Sequence, residues 1–180
     1  MDPFSTRKAG SLYGLYYGAF LVVFGFLLYS SNLGENLLLK LTRWGIFIGV
    51  MVMAMRKFKE GNEGYMSFGQ GMGTGFYYTL VTGTIRGLFD TLYLAVINPQ
   101  MLQDALNESI AVMESNPNMT DEQIEDIEEL AQSFISDPVF PVFIFTIALF
   151  ASFIGGIIIA LIVTTVIKKD NPELDLGEEE

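Results

Sequence analysis

The sequence predicts an all-α fold: a polytopic membrane protein built as an antiparallel four-helix transmembrane bundle, with an extracytoplasmic helical hairpin between the third and fourth spans. Three observations carry that expectation. Hydrophobic side chains make up 51% of the 180 residues, and they collect in four long blocks instead of amphipathic stripes. Each block meets or approaches the roughly 20 apolar residues that cross about 30 Å of hydrocarbon. The basic residues stand mostly at the edges of those blocks, and one long intervening segment has none. The expected spans are 9–29, 37–55, 71–97 and 139–167, with the hairpin at 98–138. Residues 1–169 then form a single membrane domain, since the polar remainder is too small for a soluble domain of ordinary size.

The first span follows Arg7 and Lys8, which could serve as the basic start of a signal peptide. Its apolar part is too long and too aromatic for one, and no small-residue cleavage site follows, so it reads as a retained span. Gly14 and Gly18 form a G-x-x-x-G pair within it, while Tyr13, Tyr16, Tyr17 and Tyr29 sit towards its ends as interfacial aromatics do. The short turn at 30–36 allows only an antiparallel neighbour. That neighbour carries Gly45 and Gly49 at the same spacing. Its uninterrupted apolar part, 44–55, is short, which puts Lys40 and Arg43 at or just below the headgroups.

The third span opens with glycines at every second position (Gly69, Gly71, Gly73, Gly75) and holds Arg86 and Asp90 well inside. The glycine spacing fails the G-x-G-x-x-G fingerprint and no strand precedes it, so no dinucleotide site is implied. On a helical wheel, Gly75, Thr79, Thr82, Gly83, Arg86, Asp90 and Tyr93 share one face of about 100°. The fourth span carries a ladder of small residues, Ala148, Ser152, Gly156, Ala160 and Thr164. Small residues let helix backbones approach closely. Gly14, Gly18, Gly45, Gly49, Gly75, Gly83, Ser152 and Gly156 are therefore the expected packing positions, within the bundle or at a seam between two copies.

Charge sets the orientation. Arg7 and Lys8, the run Arg56, Lys57 and Lys59, and the pair Lys168 and Lys169 all belong to one side, whereas 98–138 has ten acids and no basic residue. Basic loops stay in the cytoplasm, so both termini are expected inside and 98–138 outside. Counting along the helices brings Lys40 and Arg43 to the depth of Arg86 and Asp90. A polar cluster of Lys40, Arg43, Arg86 and Asp90 is expected between the second and third spans. Its structural reading is an internal salt bridge that fixes register. Its functional reading is an ion or ligand site, because intramembrane ionisable residues are expensive. Three cations to one anion leave an excess that Glu35, a lipid phosphate or a bound anion could balance.

The hairpin shows helical spacing at Met101, Leu102, Ala105, Leu106, Ile110 and Met113, and breaks at Asn116-Pro117-Asn118. It resumes behind a Thr120/Gln123 capping box with Ile124, Ile127, Ala131 and Phe134. The acids on the second helix suit a solvated face and its N-terminal dipole, and no calcium-loop pattern accompanies them. The acidic end, 170–180, is expected to be disordered.

With no Cys and no His, disulfides, thiol catalysis and nearly all zinc or haem sites are excluded. A net charge of −11 argues against nucleic acid as a partner. No catalytic residue, cofactor or metal site is expected, and no enzyme. The partners implied are the lipid bilayer and a membrane protein or a second copy of the chain.

Several segments together, RKFKEGNEGYMSFGQGMGTG, INPQML, TDEQIED and SDPVF, resemble a widespread family of small four-span bacterial membrane proteins defined by a domain of unknown function, number 4199. The resemblance runs from about Leu12 to Lys169 and is most specific at Gly64 to Gly69 and at Asn98-Pro99. It implies a protein of the bacterial inner membrane and supplies no activity and no site residue. Two functions compete. One is a structural or accessory membrane protein that binds partners; the other is a subunit of a small transporter or channel using Arg86 and Asp90.

Overall fold

The computed structural model describes residues 5–31 and 36–171. Glu35 and the acidic end from residue 172 onward, both of which figure in the expectations above, lie outside the described residues. The described chain is helical throughout: α1 Thr6–Ser30, α2 Leu37–Gly61, α3 Phe68–Leu92, α4 Gln100–Glu114, α5 Asp121–Ile135 and α6 Phe140–Ile167. A π-helical turn, Tyr93–Ile97, extends α3. Four helices, α1, α2, α3 with its π turn, and α6, are long and apolar enough to cross a membrane. At 1.5 Å per residue they measure roughly 37–45 Å, more than the hydrocarbon alone, so their ends reach into the headgroup layers.

Local chemistry sets the starts of these helices. The Ser5 hydroxyl accepts from the Lys8 N–H, and the Asn36 side chain accepts from the N–H groups of Leu38 and Leu39. Ser67 and Gln70 exchange hydrogen bonds, Ser67 N–H to Gln70 Oε1 (2.8 Å) and Gln70 N–H to Ser67 Oγ (3.3 Å). They make the reciprocal cap that starts α3. Thr120 and Gln123 do the same for α5. The π turn has a local cause too. Asn98 precedes a proline, which disfavours the helical region, and takes φ −140°. Its N–H reaches back five residues to the Tyr93 carbonyl at 2.7 Å.

Contacts group the chain into two compact units, Met1–Arg86 with Leu149–Glu180, and Gly87–Ala148. The hairpin helices pair with each other, so most contacts of the second unit stay local.

In the first unit, α3 is gripped from two sides. Along one, small residues of α3 and α6 alternate as partners: Gly71 faces Thr164, Gly75 faces Ala160, Thr79 faces Gly156, and Gly83 faces Ser152. Each glycine receives the methyl or hydroxyl-bearing carbon opposite, with residue numbers rising on one helix and falling on the other. This antiparallel pair approaches as closely as small residues permit. Along the other side, Gly10, Gly14 and Gly18 of α1 receive Tyr77, Val81 and Ile85 of α3. Val81 and Ile85 lie off the face that carries Gly75, Thr79 and Gly83, and they are bulky because α1 is the helix supplying the space.

Helix α2 packs differently. Gly45 and Gly49 are exposed, and a Cβ at either would meet nothing within 4 Å, so this G-x-x-x-G pair holds no neighbour within the described chain. Instead α2 contributes Phe47, Met51, Met55 and Phe58 to a core shared with Tyr17, Tyr78 and Ala160. Two tyrosines lock it in place: Tyr17 Oη donates to the Arg43 carbonyl and Tyr78 Oη to the Phe47 carbonyl, both at 2.9 Å. At the far end, Lys59 Nζ donates to the Ile167 carbonyl at 2.8 Å, placing a cation on the C-terminal dipole of α6. Met66, which is fully buried, and Lys169 exchange backbone bonds of 2.8 and 2.9 Å, tying the α2–α3 loop to the end of α6.

In the second unit, α4 and α5 pair with each other, and each has one buried residue, Ile110 and Ile124. Phe134 at the end of α5 meets Phe140 and Phe143 of α6 edge-on, with centroids 5.3 and 4.9 Å apart. Gly87 lies against Phe145.

Candidate functional site

Arg43 stands eighteen residues before the end of α2, and Arg86 eighteen residues after the start of α3. Because these helices run antiparallel, the two side chains arrive at one level, about 27 Å from the end where α2 stops and α3 begins. There they line a single cavity of about 30 Å³, partly open at the surface. Tyr17 and Leu21 of α1, Trp44 and Phe47 of α2, Thr82 of α3 and Ser152 of α6 complete its walls. All four long helices therefore contribute.

The aromatic side of the wall is rigid. Phe47 meets Tyr17 at 5.4 Å and Trp44 at 5.7 Å, both edge-on, and Tyr78 at 5.0 Å. The polar side consists of hydrogen-bond donors. Arg86 Nη1 donates to Ser152 Oγ at 3.4 Å, leaving the serine hydroxyl hydrogen available. Thr82 is the least expected member. Three other threonines of α3 settle their hydroxyls on the carbonyl four residues back: Thr74 on Gln70 (3.0 Å), Thr79 on Gly75 (2.8 Å) and Thr84 on Leu80 (2.8 Å). This is the habitual helical arrangement. Thr82 is only 3% exposed, yet its Oγ1 has no hydrogen-bond partner among the described residues.

Of the four residues expected to cluster, Arg43 and Arg86 are brought to this cavity. Lys40 sits one turn nearer the start of α2, half-buried and outside the lining. Asp90 sits four residues beyond Arg86 on α3, in the stretch assigned to the other unit. Tyr17, Thr82 and Ser152 each carried a sequence signal of another kind: an aromatic near a span end, a polar residue on the Arg86 face, and a rung of the small-residue ladder. Only their convergence was hidden. Among the described residues, no group of three or more Asp or Glu side chains comes together in a way that could hold a metal ion.

An all-helical chain with four helices of membrane-spanning length and apolarity is an integral multi-pass membrane protein. The family described as "Protein of unknown function (DUF4199)" matches residues 12–169, and the chain belongs to that family. No curated protein and no solved structure matches it.

Proposed function

We propose that this chain is a structural or accessory protein of the bacterial inner membrane, with no enzymatic activity, which binds a membrane-protein partner through its α4–α5 hairpin. The observation behind this reading is the unevenly covered apolar stripe of α5. Ile124 is buried, but Ile127, Leu130 and Phe134 further along the same side of the helix remain 37%, 72% and 45% exposed. A hairpin that carries ten acids around such a stripe gains by laying it on another apolar surface. The distribution of basic residues supports cytoplasmic termini and an extracytoplasmic hairpin. Deleting 103–133 tests the reading: partners cross-linked to the intact chain are lost, whereas their full retention would exclude the hairpin as the contact.

A second reading, a subunit of a small transporter or channel, draws on the cavity at Arg86. It requires ion or proton flux in liposomes that Arg86→Gln and Asp90→Asn abolish. Flux that both variants retain, or no flux at all, removes it.

A further inference from the structure

The arginine-lined cavity is a collection of donors without an acceptor anion among its own side chains. Its lining supplies two guanidiniums and the hydroxyls of Thr82 and Ser152, while the remaining side chains are Tyr17 and three apolar ones, none with a carboxylate. Tyr17 spends its hydrogen on the Arg43 carbonyl. Each guanidinium is costly at this depth and favours an anion near it. Asp90, at i+4 from Arg86, can answer one of the two charges by spacing alone. Two guanidiniums against that one carboxylate leave the lining itself positive. The second observation is independent of charge. A hydroxyl buried without a partner is destabilising, and Thr82 gives up the carbonyl bond its neighbours make in order to line this space.

We propose that this cavity binds the anionic oxygens of a phosphate group, with Thr82 and Ser152 donating hydroxyl hydrogens and Arg43 and Arg86 supplying charge-assisted bonds. A water needs roughly 10–15 Å³ of such space, so a cavity of about 30 Å³ admits two oxygen-sized atoms. The rest of the group stays at the open side, beside Trp44, which is 41% exposed. Arg43 lies six residues from the start of α2, about 9 Å along the axis, within reach of a headgroup. The same chemistry is offered by a phospholipid headgroup and by inorganic phosphate. This inference goes beyond partner binding and stands whether or not the hairpin docks.

Trp44 is the sole tryptophan of the chain and lines the cavity, so its fluorescence reads the site directly. In one arm, the full chain is reconstituted in vesicles of the phosphate-free lipid digalactosyldiacylglycerol containing rising fractions of brominated phosphatidylglycerol or brominated digalactosyldiacylglycerol. In the other, sodium phosphate is titrated into plain digalactosyldiacylglycerol vesicles. Stronger quenching by the brominated anionic lipid identifies a headgroup phosphate; a saturable emission change with sodium phosphate identifies the free ion. Either result is expected to weaken about tenfold in Arg43→Gln and to fall measurably in Thr82→Val, which removes a hydroxyl and keeps the shape. The basic residues at the other end do not confound the reading, since Lys59 is about 22 Å from Trp44 along α2. Equal quenching by both lipids with no phosphate response overturns the proposal. So does a preference that both folded variants retain.

Discussion

Replacing glycine by alanine should have opposite effects on α1 and α2. At Gly14 the new Cβ would lie 2.9 Å from the Tyr78 carbonyl oxygen and 3.0 Å from Val81 Cβ. Carbon contacts settle near 3.5–4.0 Å, so α1 must retreat from α3 by roughly half an ångström along a seam that also holds Gly10 and Gly18. Overpacking of this kind costs about 1–3 kcal/mol, against which alanine regains about 1 kcal/mol of helix propensity. Gly14→Ala should therefore lose about 1 kcal/mol. At Gly49 there is nothing within 4 Å, so only the propensity gain of about 1 kcal/mol remains. The two variants should differ by about 2 kcal/mol, a roughly thirtyfold difference in folded-to-unfolded ratio. Reversible unfolding in mixed micelles, followed by circular dichroism, measures both. If Gly45→Ala and Gly49→Ala destabilise as much as Gly14→Ala, the open face of α2 is in contact with something, a second copy being the first candidate.

Other consequences follow from single contacts. Thr82→Val relieves a buried hydroxyl without a partner and should leave stability unchanged or raise it by about 1 kcal/mol, while Tyr78→Phe, which orphans no donor but removes the bond to the Phe47 carbonyl, should lower it by about 1 kcal/mol; equal losses of melting temperature in the two would mean that the Thr82 hydroxyl is satisfied. Gly64 has φ +86°, so Gly64→Ala should cost about 1 kcal/mol, and an unchanged melting temperature would contradict the loop geometry. The chain has no cysteine, so Asn118→Cys in intact cells should react with a membrane-impermeant maleimide from outside. Labelling only after the membrane is opened would reverse the orientation.

Much of the architecture was legible because membrane helices announce themselves by length and apolarity. The α3–α6 seam was half-written in the ladder Ser152, Gly156, Ala160 and Thr164, which repeats every four residues. What the ladder could not say was which helix fills it, because a small residue records the closeness of a neighbour and not its identity. The same gap hid α1's partner: Val81 and Ile85 look like lipid-facing residues until Gly14 and Gly18 are set opposite them. Gly45 and Gly49 have the spacing of a packing motif but face open space, since a motif of this kind needs a partner and spacing does not supply one. The depth of Arg43 and Arg86 could be counted from sequence, and their shared level emerged from that count. The part played by Tyr17, Thr82 and Ser152 could not, because each comes from a different helix and only the assembled packing brings them together. The end of the third span at residue 97 was read from the sequence, although the π turn that closes it and its five-residue bond were not.

Whether the exposed stripe of α5 rests on a partner is tested in native membranes by a photo-activatable cross-linker at Leu130, compared with one at Glu128 on the polar side of the same helix. The expected result is a discrete protein adduct from Leu130 that is weak or missing from Glu128 and that disappears when 103–133 are deleted. Adducts to lipid alone, or equal yields from both positions, would contradict it.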